Sequence, residues 1–117
     1  MAARDSEFVS YVVESLQALG PVTAKRMFGG HGIFLDGVMF ALIASDTLYL
    51  KVDDGNRSAY EAAGLEPFIY TDKGRPIRMS YHEAPGEGFD DPDILCAWAR
   101  GAHAAALRSK APKRSRI

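Results

Sequence analysis

Apolar positions change period along the chain, and each change marks an expected element. From Ser6 to Leu19 the residues Phe8, Val12, Leu16 and Leu19 recur at helical spacing, with Val9 and Tyr11 widening the stripe, so an amphipathic helix is predicted. Asp5 or Ser6 is its expected N-cap. Gly20-Pro21 stops it, because glycine tolerates the left-handed position after a helix and proline lacks the amide that would continue the ladder. From Val22 to Val52 the period shortens to that of strands, in apolar runs cut by Gly29-Gly30, Asp36-Gly37 and Ser45-Asp46. Val22 to Phe28 is the first strand, and the Gly29-Gly30-His31-Gly32 cluster marks a turn or bulge after it. Asp36-Gly37, between Ile33-Phe34-Leu35 and Val38-Met39-Phe40, predicts a two-residue type I′ hairpin in which both turn residues take positive φ. That turn pairs Leu35 with Val38, Phe34 with Met39 and Ile33 with Phe40. One face then carries Ile33, Leu35, Val38, Phe40 and Leu42, and the other Phe34, Met39, Ala41 and Ile43, so neither face is polar. Thr47 to Val52 returns to alternation, with Leu48, Leu50 and Val52 opposing Thr47, Tyr49 and Lys51.

Asp53-Asp54-Gly55-Asn56 closes this meander, and Asn56 or Ser58 is expected to cap a short helix running to Ala63. Two further strands, Phe68 to Tyr70 and Ile77 to His82, follow, joined by a loop from Thr71 to Pro76. In the second, Ile77, Met79 and Tyr81 share a face, and Arg78, Ser80 and His82 take the opposite one. Asp90 or Asp91 then caps a last helix, with Pro92 at its first position and Asp93 favourable beside it. Its expected buried stripe is Leu95, Trp98, Ala102, Ala105 and Ala106. The order αβββ(β)αββα predicts an α+β fold of two layers, a mainly antiparallel sheet with helices on one side.

At 117 residues the chain fits one domain, expected over 1–107, with 108–117 a basic, disordered tail. The lone Cys96 permits no internal disulfide and suits a reducing compartment, so a cytoplasmic location is expected; no run is apolar and long enough to enter a membrane. The net charge of −1 is unevenly spread, since five cations follow Leu107 and leave −6 on residues 1–107. Nucleic-acid affinity rests on clustered Lys and Arg, so it is expected at the tail if anywhere.

Candidate chemistry changes the picture little. His31, His82 and His103 fall on a turn, a strand and a helix without metal-ligand spacing, His82 being read as a polar residue on the face away from the core. The glycines at 29–32 are followed by strand, whereas a phosphate cradle needs a helix there. Asp53-Asp54 and Asp90-Asp91 stand at helix entrances, where capping accounts for them. Cys96 is expected to be a small apolar residue of its helix. No residue is assigned to catalysis, a cofactor or a metal. The set that stands out is Tyr49, Lys51, Arg78, Ser80 and His82, which alternation would place on the sheet face away from the helices, together with Phe34 or Phe40. A mixed aromatic, apolar and basic face suits a partner protein or a second copy of the chain.

Several runs carry a family resemblance. Ala24-Lys25-Arg26-Met27-Phe28-Gly29-Gly30, Asp36-Gly37-Val38-Met39-Phe40-Ala41-Leu42-Ile43, Leu48-Tyr49-Leu50-Lys51, Gly74-Arg75-Pro76 and Met79-Ser80-Tyr81, in that order, resemble the N-terminal domain of the TfoX/Sxy family. The resemblance implies the same element order and a link to transcriptional regulation of natural competence. Longer members are positive regulators acting with the cyclic AMP receptor protein and carry a helical C-terminal domain that this sequence does not show. The expectation is therefore a small, non-enzymatic, regulatory protein-interaction module whose partner is a transcription regulator. The alternatives are a ligand-binding protein or enzyme using the Tyr49, Lys51, Arg78 and His82 face, and nucleic-acid association through the tail.

Overall fold

The structure, a computed structural model, describes residues 2–27 and 29–110, and side chains from Glu7 onward. Helix α1 (Ala2–Ser15) and a 3-10 turn (Gln17–Leu19) lead into β1 (Thr23–Met27), β2 (Gly30–Leu35), β3 (Val38–Ala44) and β4 (Thr47–Lys51). Helix α2 (Arg57–Ala62), strands β5 (Pro67–Asp72) and β6 (Arg75–Glu83), a 3-10 turn (Gly86–Phe89) and helix α3 (Pro92–Lys110) follow. The six strands form one antiparallel sheet in the order β1-β2-β3-β4-β6-β5, so β6 inserts between β4 and β5 and leaves β1 and β5 as edges. The α+β, two-layer expectation holds.

Tight turns fix the sheet. Asp36 and Gly37 have φ of 55° and 76°, as a type I′ hairpin requires. Ser45-Asp46 (52° and 60°) and Lys73-Gly74 (53° and 79°) repeat the device. The last of these corrects the expected loop from Thr71 to Pro76: Asp72 pairs with Arg75 and Thr71 with Pro76, so both strands continue up to a two-residue turn. At Gly30 a side chain is excluded by close approach, because a Cβ would lie 2.1 Å from the Ile43 carbonyl oxygen.

A bulge revises the central hairpin. Leu35 pairs with Val38 and Phe34 with Met39 as predicted, but Ile33 meets Ala41 and Phe40 is the extra residue. Phe40 and Ala41 are both wholly buried in the core. The alternation beyond them shifts by one, so Ile43 joins the core while Leu42 turns to the opposite face with Phe34 and Met39. The face division expected from strict alternation is wrong past this point.

One side of the sheet is covered by the helices. Val9, Val12 and Leu16 of α1 and Leu95, Cys96, Ala99, Ala102 and Ala106 of α3 pack on Ile33, Leu35, Phe40, Leu48 and Leu50. Alanines let α3 lie close to β3 and β4. Trp98 is not the centre of this stripe. It is half-buried at the flank, edge-on to the buried Tyr60 of α2 with ring centroids 4.8 Å apart. Tyr11 is likewise largely exposed, its hydroxyl donating to the Phe89 carbonyl. The helix ends also differ from expectation. Helix α1 already runs from Ala2, ahead of Asp5 and Ser6, whereas Asp91 caps α3 by accepting from the Asp93 amide at 3.0 Å. Asn56 braces the turn before α2, accepting from the Asp53 amide at 2.7 Å and donating to the Lys51 carbonyl at 3.1 Å.

The expected boundary at residue 107 falls inside α3. Arg108 donates from Nε and Nη2 to the two carboxylate oxygens of Asp53 at 2.6 and 2.7 Å, fastening the end of α3 to the turn after β4. Residues 111–117 of the expected tail lie outside the described residues.

Candidate functional site

The helices leave the opposite face of the sheet open, and alternation decides what stands on it. In β4 the core takes Leu48 and Leu50, so Tyr49 and Lys51 point to the open side. Antiparallel pairing of Tyr49 with Glu83 and Lys51 with Tyr81 puts Tyr81 and Glu83 beside them. Met79 and Ile77 follow on the same face of β6, and Tyr70, opposite Ile77, joins from β5. The Tyr49 and Phe68 rings are 4.7 Å apart, and Lys51 Nζ sits 5.2 Å from the centre of the Tyr81 ring, within cation–π range.

This face is hollow rather than flat. A cavity of about 340 Å³ is lined by Met27, Gly30, His31, Met39, Leu42, Ile43, Ala44, Phe68, Tyr70, Met79 and Tyr81. Residues from both edge strands, Met27 of β1 and Phe68 and Tyr70 of β5, reach it, so the sheet curls around the hollow. Strand β2 contributes glycine at two points. A Cβ on Gly32 would lie 3.0 Å from the Met27 sulfur and from the Phe34 ring, which together roof that position. Every methionine after Met1 lines the cavity. Among the described residues no carboxylate, lysine or arginine does, so the hollow is built to hold an apolar group.

Electrostatics around the hollow follow from burial. Desolvation raises the Tyr49 pKa, with the Glu83 carboxylate adding to the rise, and burial raises that of Tyr81. Burial lowers the Lys51 pKa, while Asp53 opposes the shift.

The set expected from sequence divides between the two sides. Tyr49, Lys51 and Phe34 are on the open face. Phe40 is in the core. Arg78, Ser80 and His82 lie on the helix side, because pairing of Leu50 with His82 carries His82 to the face of Leu50. His82 is buried and packs on Tyr60, and its Nδ1 stands 2.8 Å from the Leu65 carbonyl. A carbonyl can only accept, so Nδ1 carries the proton. Arg78 and Ser80 border an open groove of about 450 Å³ against Arg57 and Glu61 of α2, and Lys51 Nζ reaches Ser80 Oγ at 2.6 Å from the sheet's other side.

The histidines stay apart. His31 is a strand residue of β2 at the cavity wall, not a turn residue, and His103 meets the Phe40 ring edge-on at 5.7 Å. Among the described residues no three His, Cys, Asp or Glu side chains gather in a metal-binding group. Cys96 is buried, its thiol 3.4 Å from the Ser15 carbonyl and its pKa raised by burial. No described helix is long and apolar enough to cross a membrane.

The methionine lining was not singled out from sequence, although Ile77, Met79 and Tyr81 were placed on one face. The missing step was strand order, which decides which face of β6 is covered.

A two-layer α+β module with a hollow, uncovered sheet face is the class this arrangement defines. Residues 14–106 match the TfoX N-terminal domain, and the chain belongs to that family. No curated protein matches it.

Proposed function

We propose that the chain is a regulatory, protein-interaction module of the competence-regulator kind, and that it docks a transcription regulator through the outer ends of β5 and β6. The observation that carries this is the exposure of that arm. Ile69, Tyr70 and Ile77 are 47%, 46% and 40% exposed, three of the five exposed large apolar side chains among the described residues. Every residue from Ile69 to Arg78 is exposed, and β5 is an open sheet edge. Ile69, opposite Arg78, stands on one face of the arm and Tyr70 and Ile77 on the other, so the arm exposes apolar side chains on both faces. Such side chains on an unprotected edge tend to mark interaction sites. Lys73, Arg75 and Arg78 border these side chains, with Asp72 the one carboxylate on the arm, so the matching partner surface is apolar with an acidic border.

The test replaces Ile69 and Ile77 together by Glu and screens wild type and variant pairwise against the transcription regulators of the native cell. Binding of one regulator by wild type and its loss in the variant, with unchanged circular dichroism, supports the reading. Retained binding by the variant rejects the arm. A wild-type dimer in sedimentation that the variant converts to monomer would assign the arm to a second copy of the chain and remove the transcription regulator from it.

A further inference from the structure

We propose that the hollow on the open face is a binding site for a small, uncharged aromatic molecule of two or three rings. The inference does not rest on docking by the arm, which shares only Tyr70 with the cavity lining. Size comes first. At about 340 Å³ the cavity lies at the lower end of small-molecule pockets, which holds a few rings but not a long acyl chain. Its walls also exist before any ligand arrives. Leu42 and Ala44 sit on the central strand β3, and Met27 and Tyr70 stand on opposite edges of a hydrogen-bonded sheet.

Composition sets the chemical class. Three thioethers converge on one space; methionine is unbranched and polarizable, and its sulfur makes favourable contacts with aromatic rings. Phe68, Tyr70 and Tyr81 add ring faces and edges of their own. A charged ligand would be desolvated there without an opposite charge among the described lining residues, so the site selects against ions. The Tyr70 and Tyr81 hydroxyls are the polar side-chain groups available to orient a ligand bearing one donor or acceptor.

The glycines of β2 shape the wall of the hollow, Gly30 because the Ile43 backbone passes close by it. Gly30 lines the cavity, and Gly32 lies beneath Met27 and Phe34 where a larger side chain would push them.

N-phenyl-1-naphthylamine, which is uncharged and has three rings, is the probe, and 8-anilino-1-naphthalenesulfonate is its charged counterpart. With the full chain carrying ¹³C-methyl methionine, the expected result is saturable binding of one uncharged probe per chain. The methyl signals of Met27, Met39 and Met79 shift. The sulfonate binds about tenfold more weakly or worse, reflecting the burial of a charge. Met79→Lys removes probe binding while its melting curve stays cooperative, and Leu42→Trp, which fills the floor, removes it by another route. Ile69→Glu alone, at a position on the helix-side face of the arm opposite Arg78, binds the probe as wild type does, so failure of the docking arm and failure of the pocket are separately visible. Unmoved methionine methyls at saturating probe, equal affinity for the sulfonate, or undiminished binding in both Met79→Lys and Leu42→Trp would each overturn the proposal.

Discussion

The two faces of the sheet come from the same strands but are furnished differently. Toward the helices stand Ile33, Leu35, Val38, Phe40, Ala41, Ile43, Leu48 and Leu50, and no methionine among the described residues enters that core. Toward the open side stand Phe34, Met39, Leu42, Tyr49, Met79 and Tyr81, with Met27 reaching in from the edge. Branched residues have few rotamers and specify one packing, whereas methionine adapts to what it meets. The covered face is built to be a unique core. Its counterpart is built to receive something else.

Charge follows a related division. The six strands carry Lys25, Arg26, Lys51, Arg75 and Arg78 against Asp72 and Glu83, while most carboxylates sit on helices and loops. An acidic total over residues 1–107 therefore describes the helix layer and its connections, not the sheet.

The largest effect expected from this contrast is a difference between adjacent residues. Phe40 is wholly buried and Met39, next to it, is half-buried at the hollow. Phe40→Ala should cost about 3–5 kcal/mol, as truncation of a core aromatic does, and Met39→Ala about 1 kcal/mol or less. Urea titration of both variants measures the difference, and equal losses would show that the bulge does not separate the faces.

Element types and two of the hairpin turns were legible because their signals are local: helical period in α1 and α3, and Asp36-Gly37 and Ser45-Asp46 between apolar runs. The bulge was not. Val38-Met39-Phe40-Ala41-Leu42-Ile43 is apolar throughout, so no polar residue marks where its phase shifts, and packing beneath α3 decides it. His82 went to the wrong face for a long-range reason, since the insertion of β6 beside β4 leaves no mark within β6 itself. The candidate set shared this fault. Tyr49 and Lys51, from a strand with clear alternation, were placed correctly, while Arg78 and His82 depended on a pairing that spans the α2 connection.

An intermediate effect is expected where the helical cover is thinnest. Trp98 touches Tyr60 from a half-exposed position, so Trp98→Ala should cost about 2 kcal/mol, below the range for a fully buried aromatic. The Tyr60 ring is buried, yet its hydroxyl has no hydrogen-bond partner among the described residues, and desolvation raises its pKa strongly. Tyr60→Phe should therefore change stability by no more than about 1 kcal/mol, in the stabilising direction, because it removes an unpaired buried polar group. Thermal melts of the two variants place them on opposite sides of wild type. A clear destabilisation by Tyr60→Phe would mean that the hydroxyl has a partner.

The smallest effect concerns how the cover is fastened at its far end, where Arg108 of α3 holds Asp53 beyond β4. Hydrogen bonding from Arg108 is the main cause that lowers the Asp53 pKa to about 2, below the usual carboxylate range, helped by the Gly55 amide. A carboxyl group more acidic in the folded state than in the unfolded chain stabilises the fold when ionised. That contribution is complete above the unfolded pKa of about 3.9 and disappears as the pH falls through the folded value near 2. Arg108→Ala should lower the melting temperature slightly at neutral pH, and the gap from wild type should narrow as acid protonates Asp53. Because the pair is partly exposed, salt should narrow it too. Melts at pH 7 and pH 2.5, each at low and high salt, measure both trends; a gap that widens in acid would show that Arg108 holds α3 through its packing and not through Asp53.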